Sequence, residues 1–309
     1  MPTRAGSAST SPPSPPCVHL ARDHLQQDVE ARLRADEWRR VRRGTYVRAR
    51  TAGDLHAVAL AQVLGVHHQL RAPHVFGHAS AALLWGLPLW SVPSQVHVYQ
   101  RARPGSRRDP TVHRHLGVLD GTATTELAGL PVTTVVRTAL DCARSMAPLA
   151  GLVTVDGALR RGVDRDELRV LTEQDPRGRG MARARQVIAL ADPGAESVQE
   201  SALRFLVLAG GLPEPASQVP VDTRLGTFWA DLGWELWRVL LEYDGRPKYT
   251  DTEALVLEKR RHDAIVEAGW RVLRVTKEDL RTPQLLLTRV RRLLPADVPL
   301  VRRPHLRAR

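Results

Sequence analysis

Apolar positions near the start of the chain change from helical to strand-like spacing. Residues 19–36 place a few apolar side chains at helical intervals and predict a helix. Residues 38–47, WRRVRRGTYV, are rich in strand-forming side chains around a turn at Arg43-Gly44, which predicts a hairpin. A helix followed by an arginine-rich hairpin indicates a winged-helix-like region over residues 19–50.

This hairpin would act as a wing, with four arginines offered to the phosphate backbone of DNA. Arginine suits phosphate because its planar guanidinium binds two oxygens at once. The alternative is an edge hairpin whose charged outer face blocks aggregation. The four arginines are Arg39, Arg40, Arg42 and Arg43.

The next segment, residues 51–192, mixes helical and strand patterns and predicts a small α/β and helical region. VHVY (96–99) and TVHRHL (111–116) alternate like paired strands. Arg137 and Asp141 are spaced i, i+4 on a predicted helix and form a structural ion pair in this interpretation. The remaining predicted helices cover 54–65, 78–88, 148–161, 164–172 and 179–191.

From residue 195 the pattern becomes a helix, three strands, a helix, a strand and a last helix. The three consecutive strands are SQVPVD, GTFWADLGW and WRVLLEYDG. The order predicts a mixed sheet flanked by helices over residues 195–295. The whole chain is therefore expected to be of the α/β (α+β) class.

The two ends differ from this pattern. Residues 1–18 begin with a Ser/Pro-rich stretch and predict a disordered tail, whereas residues 296–309 form a basic tail. No stretch approaches the roughly 18 apolar residues of a membrane span, and the N-terminus lacks the apolar core of a signal peptide. With two cysteines far apart in sequence, we expect a cytoplasmic protein without a membrane partner.

The net charge of +12 and pI of about 10.9 favour a polyanionic partner, with DNA as the leading candidate. Arginines cluster at 32–50, at 101–114 and in the C-terminal tail. A GC-rich genome would also produce an arginine-rich chain with three lysines, so a merely basic, solvated surface is the alternative.

Two carboxylates end the strand in LLEYDG, residues 240–245. Glu242 and Asp244 share one face of that strand, because side chains at i and i+2 point the same way. A hairpin turning near 235–238 would place Asp231 opposite Glu242 and Trp229 opposite Asp244. Carboxylates opposed in this way destabilise a sheet unless something compensates their charge.

A divalent cation, Mg²⁺ or Mn²⁺, would compensate these charges and could promote phosphodiester hydrolysis. The predicted ligands are Asp231 and Glu242. The alternative is that the acids lie at the sheet edge and pair with nearby arginines such as Arg246 and Arg271.

Two further residues are candidates for this site. Glu200 shares a helix face with Glu196, and a capping box with Ser197 explains it equally well. Lys248 follows the acids closely and could orient water or contact a phosphate, or could simply be solvated.

The stretches ESVQES, FWADLGWELWRVLLEYDGRPKY and EAGWRVLRVTKEDL together resemble the bacterial domain family related to very-short-patch repair endonucleases. That family belongs to the PD-(D/E)-x-K nuclease superfamily. The resemblance implies a restriction-endonuclease-like fold with Asp231 and Glu242 as metal ligands and Glu200 as the helical acid. Asp244 occupies the position of the superfamily's lysine.

The stretches WRRVRRGTYV, HASAALLWGLP and GLPVTTVVRTALD are similar to actinobacterial abortive-infection antitoxins of the type IV toxin–antitoxin class. This resemblance implies a winged helix followed by an antitoxin-like α/β segment. It adds a cognate toxin, beside a second copy of the chain, as a candidate protein partner.

Together these features predict a DNA-binding protein with a metal-dependent endonuclease domain. The alternative from another class is a non-catalytic regulator or antitoxin whose nuclease fold has degenerated. A third hypothesis gives the C-terminal domain a role in protein interaction alone, with its carboxylates free of metal.

Overall fold

The computed structural model describes residues 12–102, 109–245 and 252–306. Helices surround three sheets, so the expected mixed α/β class is confirmed. No helix in the described ranges combines the length and the apolar character needed to cross a bilayer.

The N-terminal region is a three-stranded antiparallel sheet with one α-helix packed against it. The strand order is β1-β3-β2, and Gly44 turns the hairpin with φ +70°. Val29, Trp38 and Tyr46 form its small core. The elements are β1 (His19–Leu20), α1 (Gln26–Arg34), β2 (Trp38–Arg42) and β3 (Thr45–Arg48).

The helix predicted over residues 19–36 is therefore shorter than expected. His19 and Leu20 pair with Tyr46 and Thr45 as a strand, and the His19 ring stacks on Trp38 with centroids 4.2 Å apart. These contacts come from residues distant in sequence and override the local helical pattern. Between β1 and the hairpin the region has one α-helix.

A five-stranded mixed sheet with order β6-β5-β4-β8-β7 organises the middle of the chain. Alternate residues of its strands, such as Val96 and Val98, are buried in the largest hydrophobic core. The strands are β4 (Val75–Phe76), β5 (Val96–Gln100), β6 (Val112–Leu116), β7 (Thr124–Leu127) and β8 (Leu130–Thr133). The helices are α2 (Leu55–Gln69), α3 (His78–Trp85), α4 (Val135–Ser145), α5 (Pro148–Arg160), α6 (Arg165–Gln174) and α7 (Met181–Leu190).

The C-terminal sheet is four-stranded with order β12-β11-β10-β9. Neighbouring strands are antiparallel except β11 and β12, which are parallel and joined through a helix. The strands are β9 (Ala216–Thr223), β10 (Gly226–Trp234), β11 (Val239–Tyr243) and β12 (Arg271–Val275). The helices are α8 (Val198–Ala209), α9 (Thr252–Glu267), α10 (Lys277–Arg281) and α11 (Pro283–Leu293).

Helix α8 belongs to two hydrophobic cores at once. Phe205 and Leu208 pack into the core of the middle region, whereas Leu203 and Val207 pack against the C-terminal sheet. Arg204 is fully buried between them, and its Nη2 lies 2.9 Å from Oδ1 of Asp156 on α5. Helix α8, which follows the predicted boundary near residue 192, therefore connects the core of the middle region with that of the C-terminal sheet.

The segment after α11 packs on the body of the protein, whereas the sequence predicts a basic tail over 296–309. Val301 N–H donates to the Gly211 carbonyl at 2.8 Å. Arg303 donates to the carbonyls of Leu208 and Leu212, and Leu306 is 1% exposed. Arg303, one of the arginines of the predicted basic tail, is therefore bound by backbone carbonyls at and just after the end of α8.

Candidate functional site

The β10–β11 hairpin brings Asp231 and Glu242 to adjacent positions, in the predicted register. Leu232 pairs with Leu241 and Gly233 with Leu240, so the next positions outward are Asp231 and Glu242. There the Tyr243 backbone N–H donates to the Asp231 carboxylate at 2.7 Å.

The Asp231 carboxyl lies in an environment that disfavours its charge. Burial, followed by the negative charges of Glu200 and Glu242, raises its pKa to about 7, against the opposing effects of Tyr243 N–H and Arg261. The negative charges of Glu200 and Glu242 thus act on Asp231 with too little positive charge nearby to offset them. A bound cation would supply it.

Glu200 reaches this site from the first turn of α8. Ser197 Oγ accepts a hydrogen bond from Glu200 N–H, as in a capping box. The Glu200 side chain accepts from Glu196 N–H at 2.8 Å, one residue before the box position. Burial raises the pKa of Glu200. Capping and proximity to Asp231 therefore coexist at this residue.

Glu242 is buried and has an arginine partner. Arg261 of α9 donates from Nη2 to Glu242 Oε1 at 2.8 Å and also contacts Glu258. Ion pairing was the alternative to metal binding, with other arginines as partners. Arg271 instead donates to the Trp237 carbonyl, and Arg246 lies outside the described residues.

The last two candidate residues are Asp244 and Lys248. Asp244 N–H donates to the Val275 carbonyl at 2.8 Å and extends the pairing of β11 with β12. Lys248 lies outside the described residues.

Mg²⁺ or Mn²⁺ needs hard oxygen ligands, and one or two carboxylates with waters are enough. Asp231 and Glu242 fit that donor set if Glu242 exchanges Arg261 for the cation. Within the described residues, the carboxylates do not form a trio whose ligand atoms all lie within 4.8 Å of one another. In the structure, Glu242 is therefore paired with Arg261, and the Asp231 carboxyl has no ion pair among the described residues.

At the arginine hairpin, three of the four predicted side chains face solvent. Arg39, Arg40 and Arg43 are exposed, and Arg39 forms an ion pair with Asp36. Arg42 differs from the expectation of an exposed phosphate contact. Its side chain is 8% exposed, and its Nη2 lies 2.6 Å from Oδ2 of Asp109. A shift in strand register between Arg40 and Arg42 redirects it inward.

A histidine cluster in the middle region was missed at the sequence level. Ligand atoms of His78, His97 and His115 all lie within 4.8 Å of one another, so this group could hold a metal. The available signal was the alternation VHVY and VHRHL, which places His97 on one strand and His113 and His115, at i and i+2, on the other. His78 had no such signal.

Comparison with known proteins identifies two relatives, both uncharacterised proteins of Mycobacterium tuberculosis, from strains CDC 1551/Oshkosh and H37Rv. Each is 29% identical over 248 residues, covering 77% of this chain and 90% of the relative. No family model matches the chain. No solved structure matches it.

Proposed function

We propose that the protein is a DNA-binding protein with a metal-dependent endonuclease-like site centred on Asp231. The observation that supports this most strongly is Asp231, which the hairpin places beside Glu242 and whose pKa is raised to about 7 by burial and by the charges of Glu200 and Glu242. Such a shift is typical of functional sites, where like charges are held together for a task.

In this proposal Asp231 and Glu242 hold the cation, and Glu200 orients a water molecule beside it. Mg²⁺ or Mn²⁺ would polarise the phosphodiester and lower the pKa of the attacking water. Arg261, released from Glu242, would be free to contact the phosphate. Asp244 and Lys248 are the proposed assisting residues.

The exposed arginines of the hairpin are the proposed DNA contacts. Arg39, Arg40 and Arg43 would bind phosphates without reading sequence, so they position the duplex. The proposal also assigns the protein to the cytoplasm, with a cognate toxin or a second copy of the chain as candidate protein partners.

A second function is favoured by one observation, the Glu242–Arg261 ion pair. A permanent pair would make the site structural, and the protein would be a non-catalytic DNA-binding regulator or antitoxin. The two functions share the hairpin and differ in their need for metal.

Plasmid nicking in Mg²⁺, Mn²⁺ or EDTA distinguishes the two functions. We expect metal-dependent nicking by the wild type and its loss in Glu242→Ala, with DNA affinity largely intact. Glu267→Ala is the matched control, because this exposed glutamate pairs with Arg224 away from the site.

Undiminished nicking by Glu242→Ala would overturn the site assignment. Absence of nicking in the wild type, with DNA binding retained, would favour the regulator.

A further inference from the structure

Four ring side chains share one face of the parallel strands β5 and β6. His97 pairs with His113 and Tyr99 with His115, so all four point to the side opposite Val96 and Val98. His113 is exposed, whereas His97 and His115 are half-buried. The inner histidines are therefore sheltered and still within reach of solvent.

His78 enters this cluster from the start of α3, in an uncommon backbone conformation. Its φ is +51°, which a bulky side chain adopts at a cost and only when its surroundings enforce it. Gly77 is required before it, because a Cβ there would lie 2.6 Å from Cε2 of Tyr99. The His78 ring stacks on His115 with centroids 3.6 Å apart.

Hydrogen-bond accounting leaves one lone pair on His78 without a donor. Ser145 Oγ donates to the Asp141 carbonyl at 2.6 Å, so it accepts from His78 Nδ1, 2.9 Å away. The neutral ring then carries its proton on Nδ1 and a lone pair on Nε2.

Tyr99 does not supply the missing proton. Its hydroxyl lies 3.1 Å from His78 Nε2 but donates to Oδ2 of Asp141 at 2.8 Å. Arg137 donates to both oxygens of Asp141 at 3.1 Å and to the Tyr99 hydroxyl oxygen at 3.3 Å. Since the Tyr99 proton is directed to Asp141, the Nε2 lone pair of His78 has no donor among the described residues and is available to a metal ion.

His97 and His115 supply the other nitrogens. Nδ1 of His97 lies 3.0 Å from Nε2 of His115. Tetrahedral Zn²⁺ with bonds of about 2.0–2.1 Å separates its ligand nitrogens by about 3.3 Å. These two nitrogens form a hydrogen bond and lie slightly closer than that spacing, so a metal ion would take the place of the hydrogen bond. The ligand atoms of the full trio lie within 4.8 Å of one another.

We propose that His78, His97 and His115 bind a divalent transition metal, with Zn²⁺ as the favoured ion. Imidazole suits this class of metal, whereas Mg²⁺ prefers oxygen. Three protein ligands leave a fourth position for water, as in catalytic zinc sites. This site is separate from the carboxylates of the C-terminal sheet and does not depend on the proposed function.

The surroundings support this assignment. Neutral imidazole is the form that ligates. Ser145 fixes the His78 tautomer from the outer shell. Arg137 and Arg144 are the nearby positive charges that oppose binding.

The test is calorimetric titration of the chelator-stripped full-length protein with Zn²⁺. We expect one equivalent to bind. Loss of an outer-shell partner costs roughly 10–100-fold in metal affinity, so His97→Gln and His115→Gln should each weaken binding at least about 100-fold. Both residues are half-buried, so these variants disturb the core less than a change at His78.

His113→Gln and His74→Gln are matched controls. His113 lies beside the trio on the exposed side, and His74 contacts His67 in another part of the fold. Both variants should bind Zn²⁺ as the wild type does. No Zn²⁺ binding by the wild type, or a loss below tenfold in both ligand variants, would overturn the proposal.

X-ray absorption of the Zn²⁺-loaded wild type gives a second readout that needs no variant. We expect three imidazole nitrogens in the inner shell. A shell of oxygens alone would overturn the proposal even if Zn²⁺ binds tightly.

Discussion

Asp231 shows how a single residue can be unfavourable for the fold that contains it. Its pKa is raised from 3.8 to about 7 by burial and by two neighbouring carboxyl groups. The folded protein therefore holds a proton here that the unfolded chain releases at lower pH. The stability that this proton provides is complete below pH 3.8 and is lost as pH rises through about 7.

We expect Asp231→Asn to stabilise the metal-free protein at pH 8 by about 2–4 kcal/mol, since a pKa unit corresponds to about 1.4 kcal/mol. Asparagine keeps an oxygen for Tyr243 N–H and cannot ionise. Urea unfolding of both proteins at pH 8 and pH 4 measures the effect, which should nearly vanish at pH 4.

A destabilised Asp231→Asn at pH 8, without metal, would contradict the charge argument. With Mg²⁺ present the gain should shrink, because the cation would stabilise only the wild-type carboxylate.

Sequence reasoning succeeded for residues whose partners are close along the chain. Alternation and a short turn fix Asp231 beside Glu242, since a slip by one residue would reverse every buried side chain. Arg42 and His78 could not be placed in this way. The partner of Arg42 is Asp109, 67 residues away, and Ser145 is 67 residues from His78.

At the scale of elements, the hairpin carries the exposed positive charge proposed to contact DNA. We expect the combined change of Arg39, Arg40 and Arg43 to alanine to weaken duplex binding for all sequences. Each phosphate contact contributes roughly 0.9 to the slope of log affinity against log salt, so the slope should fall by about 2–3. Fluorescence anisotropy at several salt concentrations measures it.

Arg42→Ala serves as the contrasting variant, because its guanidinium is buried beside Asp109. It should lower stability and leave the salt slope unchanged. Equal salt slopes for the triple variant and the wild type would show that the hairpin does not contact DNA.

Most helices and strands could be predicted because their signals are local. Ser197 marks the start of α8, and the alternating strands of the C-terminal sheet are bounded by turns. The exceptions are the start of the chain, where pairing of His19 and Leu20 with β3 decides the structure, and the short strands β4, β7 and β8, which were not predicted. Non-local pairing of this kind leaves no pattern within a short window.

At the scale of the whole molecule, the last described residues pack on the body, and Leu306 is the side chain that they bury in the middle core. We expect Leu306→Ala to lower the free energy of unfolding by about 2–4 kcal/mol, because Leu306 is 1% exposed within the middle core. Leu300→Ala is the control, since Leu300 is 61% exposed. Chemical denaturation of both variants measures the difference, and equal values would show that the anchor contributes nothing.

Helix α8 has a consequence for how the molecule can come apart. A break in the chain before this helix would expose Phe205 and Leu208 on one fragment. It would leave Asp156 on the other fragment, without its partner Arg204. Leaving one partner of a buried ion pair alone costs roughly 3–5 kcal/mol. Each fragment would expose surface that is buried in the intact protein. We therefore expect a single cooperative unfolding transition in thermal denaturation and in limited proteolysis, although the sequence pattern indicates two regions.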